Sequence, residues 1–258
     1  ASDVYKRQGL NPRKYFSGLL SAAVHQGAQI FDQTPALSID PAGDRWTVKT
    51  PQSSVSADQV VVATNGYSSE TLPRWLSGRY MPTQSTVLVT PPLSAAQKEA
   101  AGWTSDLMAY DSRNLLHYFR MLPDDRFLFG MRGGLLSGAR ADARSKARLL
   151  RDFHRLFPAW KDVEVSHVWS GMVCIARDAL PYVGAVPGMP GVWVGMCYHG
   201  NGVAMGSLSG LILSDLLRGR APECYPEALQ NGLSRFPLGR GRRLLMPAAY
   251  AGFMLADL

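Results

Sequence analysis

The 258-residue sequence predicts a mixed α/β fold in which two parts of one α/β domain flank an inserted antiparallel sheet. Three stretches carry that prediction. Asp58 to Thr64, DQVVVAT, is a continuous β-branched run with the pattern of a strand buried on both faces, and it ends in the turn Asn65-Gly66-Tyr67. Val192 to Gly219 reads as an apolar strand to Tyr198, a tight His199-Gly200-Asn201-Gly202 connection, and a helix from Val203 to Leu217 closed by Gly219. Between them, from Tyr80 to about Arg132, alternating strands at 85–90, 115–120 and 127–131 read as an antiparallel sheet.

Taken in order, residues 1–8, ASDVYKRQ, fit nothing that follows and read as a translated sequencing adapter joined to a truncated frame. On that expectation the native protein begins upstream. Asn11-Pro12 opens a helix, with Asn as cap and Pro in the first turn; Tyr15, Phe16, Leu19, Leu20 and Val24 mark its buried face and Gly27 ends it. Short strands follow at 29–31, 36–39 and 46–50, the last two joined by the turn Pro41-Ala42-Gly43-Asp44.

After the antiparallel segment, Ala139 to Phe157 is an amphipathic helix with Leu149, Leu150, Phe153 and Leu156 opposite an arginine-rich face, stopped by Pro158. Val163 to Met172 resumes a strand, and the loop Arg177 to Gly184 returns the chain to the strand at 192. A short helix near 226–233, the basic run Arg240-Gly241-Arg242-Arg243 and an apolar terminal helix complete the chain. The expected organisation is therefore 9–78 as the first part of the α/β domain, 79–162 as the inserted domain, 163–234 as the return and 235–258 as a tail.

Composition narrows the classes of function. A hydrophobic content of 46% supports one large core or two smaller ones. The net charge of +7 comes from scattered basic residues, with no aromatic-interleaved strip outside Arg235 to Arg243, which argues against nucleic acid as a partner. Cys174, Cys197 and Cys224 form no C-x-x-C pair and read as reduced residues of a cytoplasmic protein; the five histidines show no metal-ligand spacing. No apolar run is long enough to span a bilayer.

Glycines at 202, 206 and 210 share one stripe of the helix that follows the His199 turn, so a sheet, a backbone or a flat cofactor can approach it closely. At that helix start the first N–H groups lack intrahelical partners and carry the positive end of the dipole. An anionic or electron-rich group is the natural guest.

Four segments in order, GLNPRKYFSGLLSAAVHQGAQI, ADQVVVATNGYSS, VSHVWSGMVCIARDALPYVG and GMCYHGNGVAMGSLSG, resemble the FAD-dependent amine and amino-acid oxidoreductases of the D-amino-acid oxidase superfamily. Within it the γ-glutamylputrescine oxidase type is the nearest likeness, supported by the RFPLGR segment from Arg235. One departure matters. Such proteins hold the ADP half of FAD on an N-terminal βαβ unit with a G-x-G-x-x-G turn, and this sequence has none. The resemblance therefore implies a Rossmann-like FAD-binding domain whose N-terminal part is missing, with the antiparallel insert as substrate domain.

Carried over by resemblance, Ala36 edges the adenine, and Ala63, Thr64, Asn65 and Gly66 lie along the phosphate and ribose region. Trp169, Ser170 and Gly171 line the flavin, while His199, Gly200, Asn201, Gly202 and Val203 cover its pyrimidine side. There, N–H donors at a helix start stabilise the negative charge that collects on the ring when an amine transfers hydride to flavin N5. His199 is a weak candidate for a base, and a structural or cofactor hydrogen bond suits it better; Asp178 is expected to fix its loop. The resemblance implies non-covalent FAD, since the position of the flavin-linking cysteine falls near Gly171, and the absence of an arginine in Met172 to Ala176 disfavours a plain α-amino acid.

Three functional expectations follow. The first is FAD-dependent oxidation of a γ-glutamylputrescine-like amine with O2 as acceptor. A second is an amino-acid or N-methyl-amine dehydrogenase passing electrons to a quinone. The third is a non-catalytic fragment that keeps only the fold.

Overall fold

A computed structural model describes residues 9–103, 105–134 and 138–257. The expected leader at 1–8 lies outside the described residues. The chain divides into two compact units, one formed by Pro82–Val173 with Arg243–Leu258 and the other by Gln8–Met81 with Cys174–Arg242.

The second of these is the α/β unit. Helix α1 (Pro12–His25) starts as its sequence dictates: Asn11 Oδ1 accepts the Lys14 N–H at 3.0 Å and Pro12 occupies the first turn. Its apolar face, however, is not buried. Phe16, Leu19 and Val24 are all exposed, because no described residue packs over them. The expected strand at 29–31 is also absent; Ile30 and Phe31 are exposed coil with no ladder to join.

Strands β1 (Ser38–Ala42), β2 (Arg45–Lys49) and β3 (Ser54–Ala57) form an antiparallel sheet in that order. Gly43, at φ +67°, supplies the left-handed turn of the first hairpin. Trp46 on β2 buries its ring in the unit's core and donates its indole N–H to the Pro190 carbonyl at 2.8 Å.

A second sheet of this unit has β4 (Val60–Val62), β11 (Val192–Met196) and β10 (Tyr182–Ala185) in the order β10-β11-β4. β4 and β11 are parallel, with Val60 opposite Val192 and Val62 opposite Val194. Val192, Val194, Met196 and Val62 build the core with Leu76, Tyr80 and Tyr182. The expectation that β4 is buried on both faces is corrected: Val61 is 41% exposed, since β4 is an edge strand among the described residues. Helix α4 (Gly202–Leu217) packs on this sheet through Ile212 and Leu213. Gln59 ties its far end, donating to the Leu217 carbonyl at 2.9 Å while accepting the Trp193 indole N–H at 3.0 Å.

Residue Arg242, which the sequence offers only as part of a basic run, is buried in this unit. Its guanidinium donates to the Tyr80 carbonyl at 2.6 Å, pairs with Glu70 and lies over the Tyr80 ring. The expected helix at 226–233 reduces to a single 3₁₀ turn at Glu227–Leu229.

The antiparallel unit is a five-stranded sheet, β6 (Ala109–Tyr110), β7 (His117–Met121), β8 (Arg126–Arg132), β5 (Met81–Pro92) and β9 (His167–Ile175), in that spatial order. The strand at 163–172, which the sequence places in the return segment, is thus the neighbour of β5; hydrogen bonding, invisible to local pattern, decides its sheet. Alternation sends Phe119, Phe127, Phe129 and Met131 to one face, where Phe153 and Phe157 of helix α3 (Ala139–Leu156) and its end pack with Trp160. Phe127 stands 4.7 Å from the Trp160 ring and 4.9 Å from Phe157, both edge-on, and the Trp160 indole N–H donates at 2.7 Å to the Gln97 carbonyl of the short helix α2 (Ala95–Ala100).

On the same face His117 is clamped between two acids, Nδ1 2.7 Å from Asp111 and Nε2 3.3 Å from Asp152. Burial pushes the Asp152 carboxyl up, but its bond to His117 and the charges of His117, Arg148 and Arg155 outweigh that and hold it below the usual range. The chain ends in a 3₁₀ segment, Gly239–Leu245, and helix α5 (Met246–Ala256). Asp257 then accepts the N–H groups of Asn114 and Leu115 at 2.7 and 3.0 Å.

Candidate functional site

Parallel strands β4 and β11 run in register, so the loops after them leave the sheet at the same edge. Ligands in open α/β sheets sit beyond such carboxyl ends. Asn65 joins the two loops: its Oδ1 accepts the Cys197 N–H at 3.0 Å, and its backbone, at φ +45°, takes the left-handed conformation that Asn tolerates better than most residues.

The second loop turns sharply. Cys197, His199 and Gly200 have φ of +67°, +53° and +101°, and helix α4 begins two residues later. The His199 N–H donates to the Cys174 carbonyl at 3.2 Å, while His199 Nε2 accepts the Ala176 N–H at 3.1 Å. Because Nε2 is an acceptor, a neutral His199 ring carries its proton on Nδ1. The side chain that the sequence offers as a weak base is held against the backbone of the loop after β9.

Asn201 precedes the helix without a side-chain cap, so it leaves the first-turn N–H groups uncapped. Asn201, Gly202 and Val203 are exposed, and the donors of that turn carry the positive end of the α4 dipole. Across the edge, Ala63 and Thr64 are exposed and Gly66 is buried, and Thr64 Oγ1 lies 2.7 Å from Ser68 Oγ. One unit therefore brings Ala63 to Gly66 together with His199 to Val203.

Ala36 and the two β9 residues belong to other sheets. Ala36 is exposed coil just before β1, in the register of the separate three-stranded sheet. Trp169 and Gly171 belong to β9 of the antiparallel unit, where Ser170 Oγ is 3.0 Å from Thr86 Oγ1; alternation puts Trp169, half exposed, and Gly171 on the opposite face.

A groove of about 390 Å³ runs between β4 and α4, bordered by Val61, Ala63, Tyr198, Gly206 and Gly210. The sequence predicts that the glycine stripe admits a close neighbour. Among the described residues nothing takes that place: a Cβ on Gly206 or Gly210 meets no atom within 4 Å.

Sequence reasoning missed a polar cluster on the antiparallel sheet. Tyr118 covers Gly130, where an added Cβ would overlap its ring, and its hydroxyl is 2.8 Å from Ser85 Oγ. Arg132 is the ladder partner of Ser85. Burial pushes the Tyr118 phenol up, with the Ser85 bond and the Arg132 charge pulling partly back. The signal available in sequence was the alternation of β7 and β8, which puts Tyr118, Gly130 and Arg132 on the face away from the phenylalanines.

Residues 4–216 match the family described as DAO, FAD dependent oxidoreductase. The chain belongs to this family. It is 30% identical over 249 residues to "Probable oxidoreductase OrdL" of Rhizobium meliloti, covering 96% of this chain and 56% of that protein. It is 29% identical over 205 residues to γ-glutamylputrescine oxidoreductase of Escherichia coli, covering 80% and 46%. Among solved structures, glycine oxidase from Geobacillus kaustophilus superposes with a TM-score of 0.70 at 21% identity over 85% of this chain and 57% of that one. The chain spans about half the length of the curated relatives it matches. The mixed α/β architecture with an antiparallel sheet is that of the family's flavoproteins. No helix of the described residues is long and apolar enough to cross a membrane.

Proposed function

We propose that this chain is the C-terminal part of a cytoplasmic FAD-dependent oxidoreductase that oxidises a C–N bond in an amine of the γ-glutamylputrescine class, with O2 as electron acceptor. The observation that carries the proposal is the paired edge at Asn65 and Cys197, where two parallel strands and the uncapped start of α4 converge. FAD, when bound, supplies the two-electron acceptor. The chain's own residues fit its electron-rich side: the first-turn N–H groups of α4 offer fixed donors, and His199 braces the turn that presents them. Ala36, Ala63 to Gly66, Trp169, Gly171 and His199 to Val203 are the residues proposed to hold the cofactor non-covalently.

Support for a missing partner segment comes from three exposed surfaces of the α/β unit: the apolar face of α1, the outer edge of β4 and the glycine face of α4. Each is apolar or side-chain-free, the texture of a surface made for packing rather than for water. The glycine-rich phosphate-binding unit absent from the sequence would cover them.

The longer protein containing this chain tests the proposal. It should purify yellow, lose its flavin band on anaerobic mixing with γ-glutamylputrescine, and regain it with peroxide release when O2 is admitted. An unbleached band rejects the substrate. A band that bleaches but is restored only by a quinone selects the dehydrogenase instead. Retention of stoichiometric FAD by the 258-residue chain alone in gel filtration would remove the need for the missing unit.

A further inference from the structure

Cys174, at the end of β9, and Cys197, just after β11, are both fully buried in the α/β unit with their sulfurs 3.4 Å apart. In sequence they are 23 residues apart and read as two separate core residues. The fold makes them one pair. To reach a covalent separation of about 2.05 Å the sulfurs must close by about 1.4 Å. Both belong to segments that hold the His199 turn: the Cys174 carbonyl accepts the His199 N–H, and the Cys197 N–H is held by Asn65.

We propose that Cys174 and Cys197 are an oxidisable dithiol, a modification site that closes to an intramolecular disulfide when it meets a small oxidant of the peroxide class. In the first step one thiolate attacks a peroxide oxygen; the O–O bond breaks, an S–O bond forms, and one oxygen leaves as water after protonation. The second sulfur then displaces the hydroxyl of that sulfenic acid, which leaves as a second water while the S–S bond forms. In sum, two thiols and one hydrogen peroxide give one disulfide and two waters. Electrons and protons balance without a further reagent.

Burial sets the selectivity of the pair. Cys224 is exposed and meets bulky thiol reagents first, whereas the buried sulfurs are shielded from them, so the oxidant proposed for the pair is small and uncharged. The contact with Cys174 and then burial push the Cys197 thiol up, so its thiolate is scarce at neutral pH and closure accelerates as pH rises. The finished link would fasten the end of β9 to the turn preceding α4 and stiffen the donors that α4 presents. Peroxide is what an O2-linked oxidase would release, but the site itself stands on the sulfur geometry and not on that activity.

The experiment is to expose the 258-residue chain to hydrogen peroxide, quench with catalase, unfold, alkylate with iodoacetamide and map the peptides. The expected result is a Cys174–Cys197 linked peptide whose yield grows faster at higher pH, with alkylation falling from three cysteines to Cys224 alone and returning on reduction. Oxidised protein should melt about 5 °C higher than reduced protein. Cys224→Ser should leave the linked peptide intact, while Cys174→Ser should abolish it and leave Cys197 alkylatable. Full alkylation of Cys174 and Cys197 after peroxide, or their recovery only as sulfinic or sulfonic acids, overturns the proposal. Because that outcome is read in the wild-type and Cys224→Ser proteins, it does not depend on the folding of a core variant, and it is independent of any amine turnover.

Discussion

Asn65 Oδ1 accepts the backbone N–H of Cys197 at 3.0 Å, joining the ends of two parallel strands across 132 residues of sequence. Asn65→Ala removes the bond and places a Cβ residue without a compensating side chain at φ +45°. The combined cost should be about 1–3 kcal/mol. Asn65→Gly loses the same bond but relaxes the backbone, so its urea midpoint should fall between wild type and alanine. Equal midpoints for alanine and wild type would mean that the bond does not hold the edge together.

Gly130 and Tyr118 make a second test, on the antiparallel sheet. A methyl at Gly130 overlaps the Tyr118 ring, and the ring cannot swing away without breaking its bond to Ser85. Gly130→Ala should therefore destabilise by about 1–3 kcal/mol. In a Tyr118→Ala background the same change should cost far less, and a double-mutant cycle by chemical denaturation measures the difference.

Features fixed by neighbours in the chain were legible in sequence. Asn11, Pro12 and Gly27 place the ends of α1 because caps are local, and alternation in 127–131 gives β8 its two faces. What was not legible depends on distant partners. The apolar residues of α1 and β4 signal a buried surface, yet burial requires a covering element, and none lies among the described residues. Likewise His117 finds the second of its two acids in Asp152, 35 residues away, and Arg242 finds its partners in Glu70 and Tyr80. For the candidate site, the glycine turn and the Asn65 loop were readable as strand ends, but the bond between them was not.

Arg242 and Glu70 predict an acid-sensitive fold. Burial raises the Glu70 carboxyl, but the Arg242 bond, the Gly78 N–H and the Arg242 charge outweigh it, and the net shift is downward. A folded-state value below the unfolded one gives stability that is fully present above about pH 4.3 and is lost as pH falls through the folded value. Glu70→Gln should lower stability at pH 7 and differ less and less from wild type in stronger acid. Arg242→Met should cost about 1–3 kcal/mol at pH 7, because it leaves the partly exposed Glu70 without its cation and the Tyr80 carbonyl without its donor. A denaturation series at stepped pH checks both; a gap that widens in acid would contradict the sign.

Gly210 separates the isolated chain from the longer protein proposed above. In the 258-residue chain a Cβ at Gly210 meets open space on α4, so Gly210→Ala should only reduce the freedom of the unfolded chain and improve helix propensity, raising stability by about 0.5–1 kcal/mol. In the longer protein, where a further segment is proposed to lie against this glycine face, the added methyl should clash, lower the melting temperature and weaken FAD retention. Thermal denaturation of both proteins, each with and without the substitution, reads the two signs directly. Stabilisation in both would show that the glycine face of α4 stays open, and the proposed packing of the missing unit on it would have to be abandoned.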